Sequence, residues 1–152
     1  MQLDFAGAPD VTAPREAVWR LLMDPEGVGA VAPGVEKIER VDDTHFVVTQ
    51  GFGIGSLKLR FKLDVELFDL TAPERAGMRM RGKAPGSNVD VTTGIRLEAL
   101  APRRTRLHWN ARADVSGTVA SVGARLLEGT ARKLTEKFWN DFAKRASKSA
   151  RR

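Results

Sequence analysis

At 152 residues without a cysteine, the chain has the length of one domain that buries a core unaided, and it excludes disulfide frameworks, thiol nucleophiles and cysteine-based zinc sites. A formal net charge of +6 points to an anionic partner, whether nucleic acid, a membrane surface or an acidic protein, but 7% aromatic residues and no tyrosine leave few stacking platforms for single strands or RNA. Neither a signal-peptide core behind Met1 nor a run of 18 apolar residues is present, so the expected location is the cytoplasm.

Residues 2 to 12 read as a first strand, interrupted by Gly7 and Pro9 as an edge or bulged strand would be. Residues 13 to 24 carry Pro14 in the first turn and Val18, Leu21 and Leu22 at helical spacing, which predicts a short amphipathic helix. Asp24 and Pro25 restart the count as cap and first helical residue of a second short helix, closed by Pro33 and Gly34.

From Val35 to Val115 the period is two nearly throughout, which predicts six strands between turn signals at Asp42, Gly53 to Gly55, Pro73, Pro85 and Pro102. The glycines of GFGIG look at first like a phosphate cradle. They lead into a strand rather than a helix, with Leu57, Leu59, Phe61, Leu63, Val65 and Leu67 on one face, so they read as a softened hairpin. Residues 118 to 146 read as one long helix with a stripe of Val119, Val122, Leu126, Thr130, Leu134, Phe138 and Phe142, widened by Leu127 and Ala131. One domain is expected over residues 1 to 146, followed by a basic, disordered tail over 147 to 152.

The order strand, two helices, six strands, long helix predicts an α+β helix-grip architecture, a seven-stranded antiparallel sheet wrapped around the C-terminal helix. The sequence VTAPREAVWRLLMDPEGVGAVAPGVEKIERV resembles the opening of the START-like (SRPBCC) superfamily, to which polyketide cyclases and Bet v 1-like proteins belong. Together with GFGIGSLKLRF, GSNVDVTTGIRLEAL, TRLHWNARADVSGTVASVGARLLEGTARKL and a late FW..F, it is similar to the carbon monoxide dehydrogenase CoxG family from about residue 2 to about residue 142. That resemblance implies a hydrophobic tunnel without established catalytic residues. It also implies a partnership with molybdenum hydroxylase subunits, recruitment of that enzyme to the membrane, and a lipophilic quinone as cargo. Members often carry a long C-terminal extension or anchor; this chain stops at Arg152, so peripheral contact with the inner face of the membrane is expected instead.

The residues themselves offer little catalytic chemistry. His45 lies next to a turn, and His108 shares a strand face with Arg106 and Asn110; both read as solvated, and no metal ligand set stands out. A small START-like cyclase or hydratase is the alternative, and it requires a polar cluster inside the cavity. For the cavity wall the sequence nominates Val31, Pro33, Phe61, Met78, Met80, Trp109, Val122 and Leu126. Met78 and Met80 are adaptable fillers, and Thr93, Thr105 and Ala111 withhold bulk where a packed core would favour Leu or Ile. On the opposite face Lys58, Arg60, Lys62, Arg79, Arg81 and Lys83 are expected to form a basic patch that meets lipid headgroups or an acidic partner protein. Nucleic-acid binding has no motif behind it. The function expected is therefore a non-catalytic accessory protein that carries a quinone or lipid as its only cofactor-like ligand.

Overall fold

The computed structural model describes residues 1–149. Its elements in chain order are β1 (Gln2–Gly7), β2 (Asp10–Val11), α1 (Arg15–Leu22), α2 (Pro25–Val31), β3 (Val35–Arg40), β4 (His45–Ile54), β5 (Leu57–Thr71), β6 (Arg75–Ala84), β7 (Ser87–Ala101), β8 (Arg104–Gly117) and α3 (Ala124–Ser149). Every strand pair is antiparallel, and the sheet runs β1-β8-β7-β6-β5-β4-β3, with β2 also on β8. The helix-grip architecture is as the strand periodicity indicated: a meander from β3 to β8, with β1 returning to the β8 edge and α3 covering the apolar face.

Four boundaries differ from the sequence reading, each for a local reason. The first strand splits at Gly7–Pro9, because Pro9 has no N–H to give the ladder; its carbonyl still accepts the Leu107 N–H at 2.9 Å. β4 runs on to Ile54, so Gly51 and Gly53 lie within the strand and the turn is Gly55-Ser56. The long helix begins at Ala124 rather than Thr118: Thr118–Val122 form a 3-10 segment, and Gly123 breaks the chain with a φ of 101°. Its other end goes further than expected. Residues 147–149 are helical, and the Ser147 hydroxyl accepts the Thr12 N–H at 3.0 Å, while residues 150–152 of the expected tail lie outside the described residues.

The core gathers under the C-terminal half of α3. Phe142, Leu107, Val11 and Val18 are inaccessible to solvent, and Trp109 stacks on Trp139 with ring centres 5.8 Å apart. Burial of each such side chain contributes about 1.5–3 kcal/mol. The β8–α3 connection is fixed at Gly117, whose φ of 84° and approach to the Gly86 carbonyl leave no room for a Cβ.

β2 is clamped to β8 by charge. Asp10 accepts hydrogen bonds from Arg106 at 2.8 Å and Arg104 at 2.6 Å, and chiefly the Arg106 bond lowers its carboxyl from 3.8 to about 2. A carboxyl depressed in the folded state stabilises fully above its ordinary value and loses that contribution as pH falls through its folded value. Asp10→Asn is thus expected to lower the urea midpoint slightly near neutral pH, with the gap to wild type closing between about pH 4 and about pH 2. A gap that stays constant through that range would remove Asp10 from the acid response.

Candidate functional site

The sheet curves more than one helix can fill. Between the N-terminal half of α3, α2 and the inner faces of β4 to β8 lies a cavity of about 340 Å³, within the range of small-molecule sites. The sheet supplies Phe61, Met78, Met80, Val91, Thr93 and Ala111, the helix supplies Leu127, Thr130, Ala131, Leu134 and Phe138, and the α2 side supplies Val28, Gly29, Ala32 and Pro33. Strand register explains the grouping: Met78 pairs with Thr93, and Thr93 with Ala111, so a half-buried, a small polar and a small apolar residue sit side by side where the helix stands off.

None of the described residues lining the cavity is charged; its polar members are Gln50, Thr93, Thr130 and Thr135. Thr135 donates to the Ala131 carbonyl at 2.7 Å and Gln50 donates to the Pro33 carbonyl at 2.7 Å, which leaves the Gln50 amide oxygen available. Thr93 differs. Of the three buried polar side chains, Thr105 donates to the Ala13 carbonyl at 2.8 Å and Ser87 accepts from the Val119 N–H at 2.9 Å. Thr93, 4% exposed, makes no side-chain hydrogen bond among the described residues and opens on the cavity. Its hydroxyl is open to the cavity and free to meet a polar group of a guest; the buried side-chain nitrogens without a partner among the described residues, Arg15 Nε and Arg79 Nε, belong to residues outside the cavity wall.

Of the residues nominated from sequence, Pro33, Phe61, Met78 and Met80 come together in this wall, and Val31, Trp109, Val122 and Leu126 do not. Val31 and Val122 pack against the core beside it. Trp109 belongs to the aromatic plug with Trp139 and Phe142 that closes the far end, its ring lying over Gly7. Leu126 is 45% exposed and leans on the Gly55 turn, whereas Leu127 is buried. Val119 and Leu127 of the expected stripe point inward, whereas Val122 ends the 3-10 segment before the Gly123 break and Leu126 lies in the first turn of α3 at the exposed margin of the stripe. Gln50 escaped the sequence reading although a signal was there: it is the one polar residue in the inward series Phe46, Val48, Gln50, Phe52, Ile54.

The outer face is less basic than its lysines and arginines suggest. Arg60 pairs with Glu36 at 2.8 Å, and Arg79 and Arg81 approach Asp90 at 3.4 and 3.8 Å. Lys58, Lys62 and Lys83 have no ion pair among the described residues, so the expected patch reduces to these three. Both histidines sit outside the cavity beside carboxylates. His45 is raised by its hydrogen bond to Asp42, and His108 lies 2.8 Å from Glu98, whose carboxyl that bond lowers. Among the described residues no group of three His, Asp or Glu could hold a metal ion, and no helix is long and apolar enough to cross a membrane.

Comparison with known proteins gives this geometry relatives. The family model for the CoxG component of carbon monoxide dehydrogenase matches residues 7–147. Among solved structures, a conserved protein from Geobacillus kaustophilus is 26% identical, covers 97% of each chain and has a TM-score of 0.88. The Zhui aromatase/cyclase from Streptomyces sp. R1128 is 19% identical over 96% of this chain and 94% of its own, with a TM-score of 0.70. A START superfamily protein from Mycobacterium smegmatis is 12% identical over 97% of each chain, with a TM-score of 0.67. The last two share the fold. No curated protein matches the chain.

The helical phase is directly testable. Leu127→Ala is expected to destabilise by about 2 kcal/mol or more in urea melts, and Leu126→Ala by less than about 0.5 kcal/mol. The reverse order would place Leu126, and not Leu127, against the core.

Proposed function

The chain belongs to the carbon monoxide dehydrogenase CoxG family, and from that premise we propose that it is a non-catalytic accessory protein. It holds an uncharged lipophile, a quinone or neutral lipid, and helps couple a molybdenum hydroxylase of the carbon monoxide dehydrogenase type to the membrane. The observation that carries the reading is the cavity wall, which combines extensive apolar surface with no charged side chain and two hydroxyls, Thr93 and Thr130, that make no side-chain hydrogen bond among the described residues.

The wall chemistry favours one class of guest. Each buried methylene contributes about 0.8 kcal/mol, so a tail gains steadily from the wall. A carboxylate or phosphate drawn inside would lose its hydration without gaining a counter-charge, at several kcal/mol. A carbonyl or hydroxyl of the guest can accept from or donate to the open Thr93 hydroxyl. With no ionisable side chain lining the cavity, general acid–base catalysis has no resident group to perform it, which supports a carrier over a cyclase. Lys58, Lys62 and Lys83 support peripheral docking on anionic lipid, at roughly 1 kcal/mol each.

The test is native mass spectrometry with organic extraction on protein purified from its own host's membranes, followed by titration with a decyl-substituted benzoquinone and with decanoate. Quinone or neutral lipid is expected to co-purify, and the quinone to bind more tightly than decanoate. Thr93→Val is expected to change apo stability by less than about 0.5 kcal/mol while weakening the quinone about tenfold. A clean apo mass that no lipophile shifts would end the carrier reading.

A further inference from the structure

A second feature lies on the opposite side of the sheet. We propose that the open groove on the outer face, edged by Arg75 and Arg96, is a docking surface for an extended acidic segment of a partner protein. It shares no pairing with the cavity wall and stands whether or not the cavity carries a lipophile.

The argument begins with charge register. Over much of this face opposite signs meet: Glu66 faces Arg79, Asp64 faces Arg81, and Asp4 faces Arg112, with that last pair 3.1 Å apart. Lys62 faces Lys83 and Asp90 faces Asp114 as like charges away from the groove, and Arg75 faces Arg96 across β6 and β7 at its edge, neither arginine making a hydrogen bond or ion pair among the described residues. Arg96 attracts Glu98 only at longer range, since the Glu98 carboxylate is taken by His108. Like charges directly opposite destabilise a sheet, so this pair sits at a local cost that a bound carboxylate would reverse.

The neighbouring row provides the space. Phe68, Gly77, Gly94, Asn110 and Ala6 follow one another across five strands, about 19 Å at the usual strand spacing. The Phe68 ring lies over Gly77, and the Asn110 amide leans on Gly94 without a hydrogen-bond partner among the described residues. The resulting groove encloses about 940 Å³. Its length exceeds a single small anion and matches five or six residues of extended chain at about 3.3 Å each, with the Asn110 amide placed to bond a passing backbone. A bilayer surface fits this groove poorly, although Lys58, Lys62 and Lys83 farther along the same face can meet one. The groove is recessed and Asp69 lines it, a negative charge that a patterned protein can match and a uniformly anionic plane cannot.

The probe is a blocked hexapeptide alternating glutamate with glycine, titrated at low salt while amide shifts are followed by NMR. The largest shifts are expected at Gly77, Gly94 and Asn110. Arg75→Gln with Arg96→Gln, both exposed and so tolerated by the fold, should weaken binding at least about tenfold. Lys62→Gln with Lys83→Gln is the control, because these lysines face each other in the same way beside no groove, and its effect should stay within about twofold. Equal losses in the two double variants would reduce the effect to net charge and overturn the proposal. So would the absence of shifts at the groove, or phosphatidylglycerol vesicles that shift the same amides and displace the peptide.

Discussion

A curved seven-stranded face covered by a single helix is the constraint on which the rest of this protein depends. The helix cannot touch all of the concavity, so it must choose where to pack. The choice is made at its C-terminal half, where Trp139, Phe142, Ala143 and Ala146 bury against Trp109, Leu107 and the β2–α1 corner. Once that end is fixed, the N-terminal half stands off from Met78, Thr93 and Ala111, and the apolar faces there enclose space instead of side chains. The cavity is thus a consequence of where the aromatic residues lie along α3.

The same economy governs polar groups. Buried hydroxyls are satisfied wherever they serve the fold: Thr105 fastens the start of α1 through the Ala13 carbonyl, and Ser87 accepts the Val119 N–H in the connection into α3. Thr93 alone among them faces empty space with its hydrogen-bonding capacity unspent. On the outer face several like-charged pairs oppose each other, and Arg75 with Arg96 is the pair that borders the groove over Gly77 and Gly94. In both places polar or charged groups stand beside open space where a guest could meet them, a feature expected of a functional surface.

Much of this was legible in the amino-acid order. Alternation along β5, from Leu57 to Leu67, shows which face is inward because a strand has a strict period of two and its neighbours cannot change it. The wall positions Phe61, Met78 and Met80 follow from that alternation, and Pro33 from the turn that closes α2. Helical phase is more fragile. Five residues in a tighter 3-10 turn and one glycine at positive φ separate Val122 from the helix, and Leu126 in its first turn lies at the margin of the stripe, while Val119, Leu127, Thr130, Leu134 and Phe138 face inward as the spacing indicated.

Composition and periodicity by themselves therefore determined the class of fold, the inward face of each strand and the apolar character of whatever the sheet encloses. Tertiary structure alone decided which carboxylate neutralises which arginine, that Trp109 plugs the cavity end instead of lining it, and that Arg75 meets Arg96. Those outcomes depend on register between strands distant in the chain. Register is set by the summed packing of all of them, and no single segment contains it.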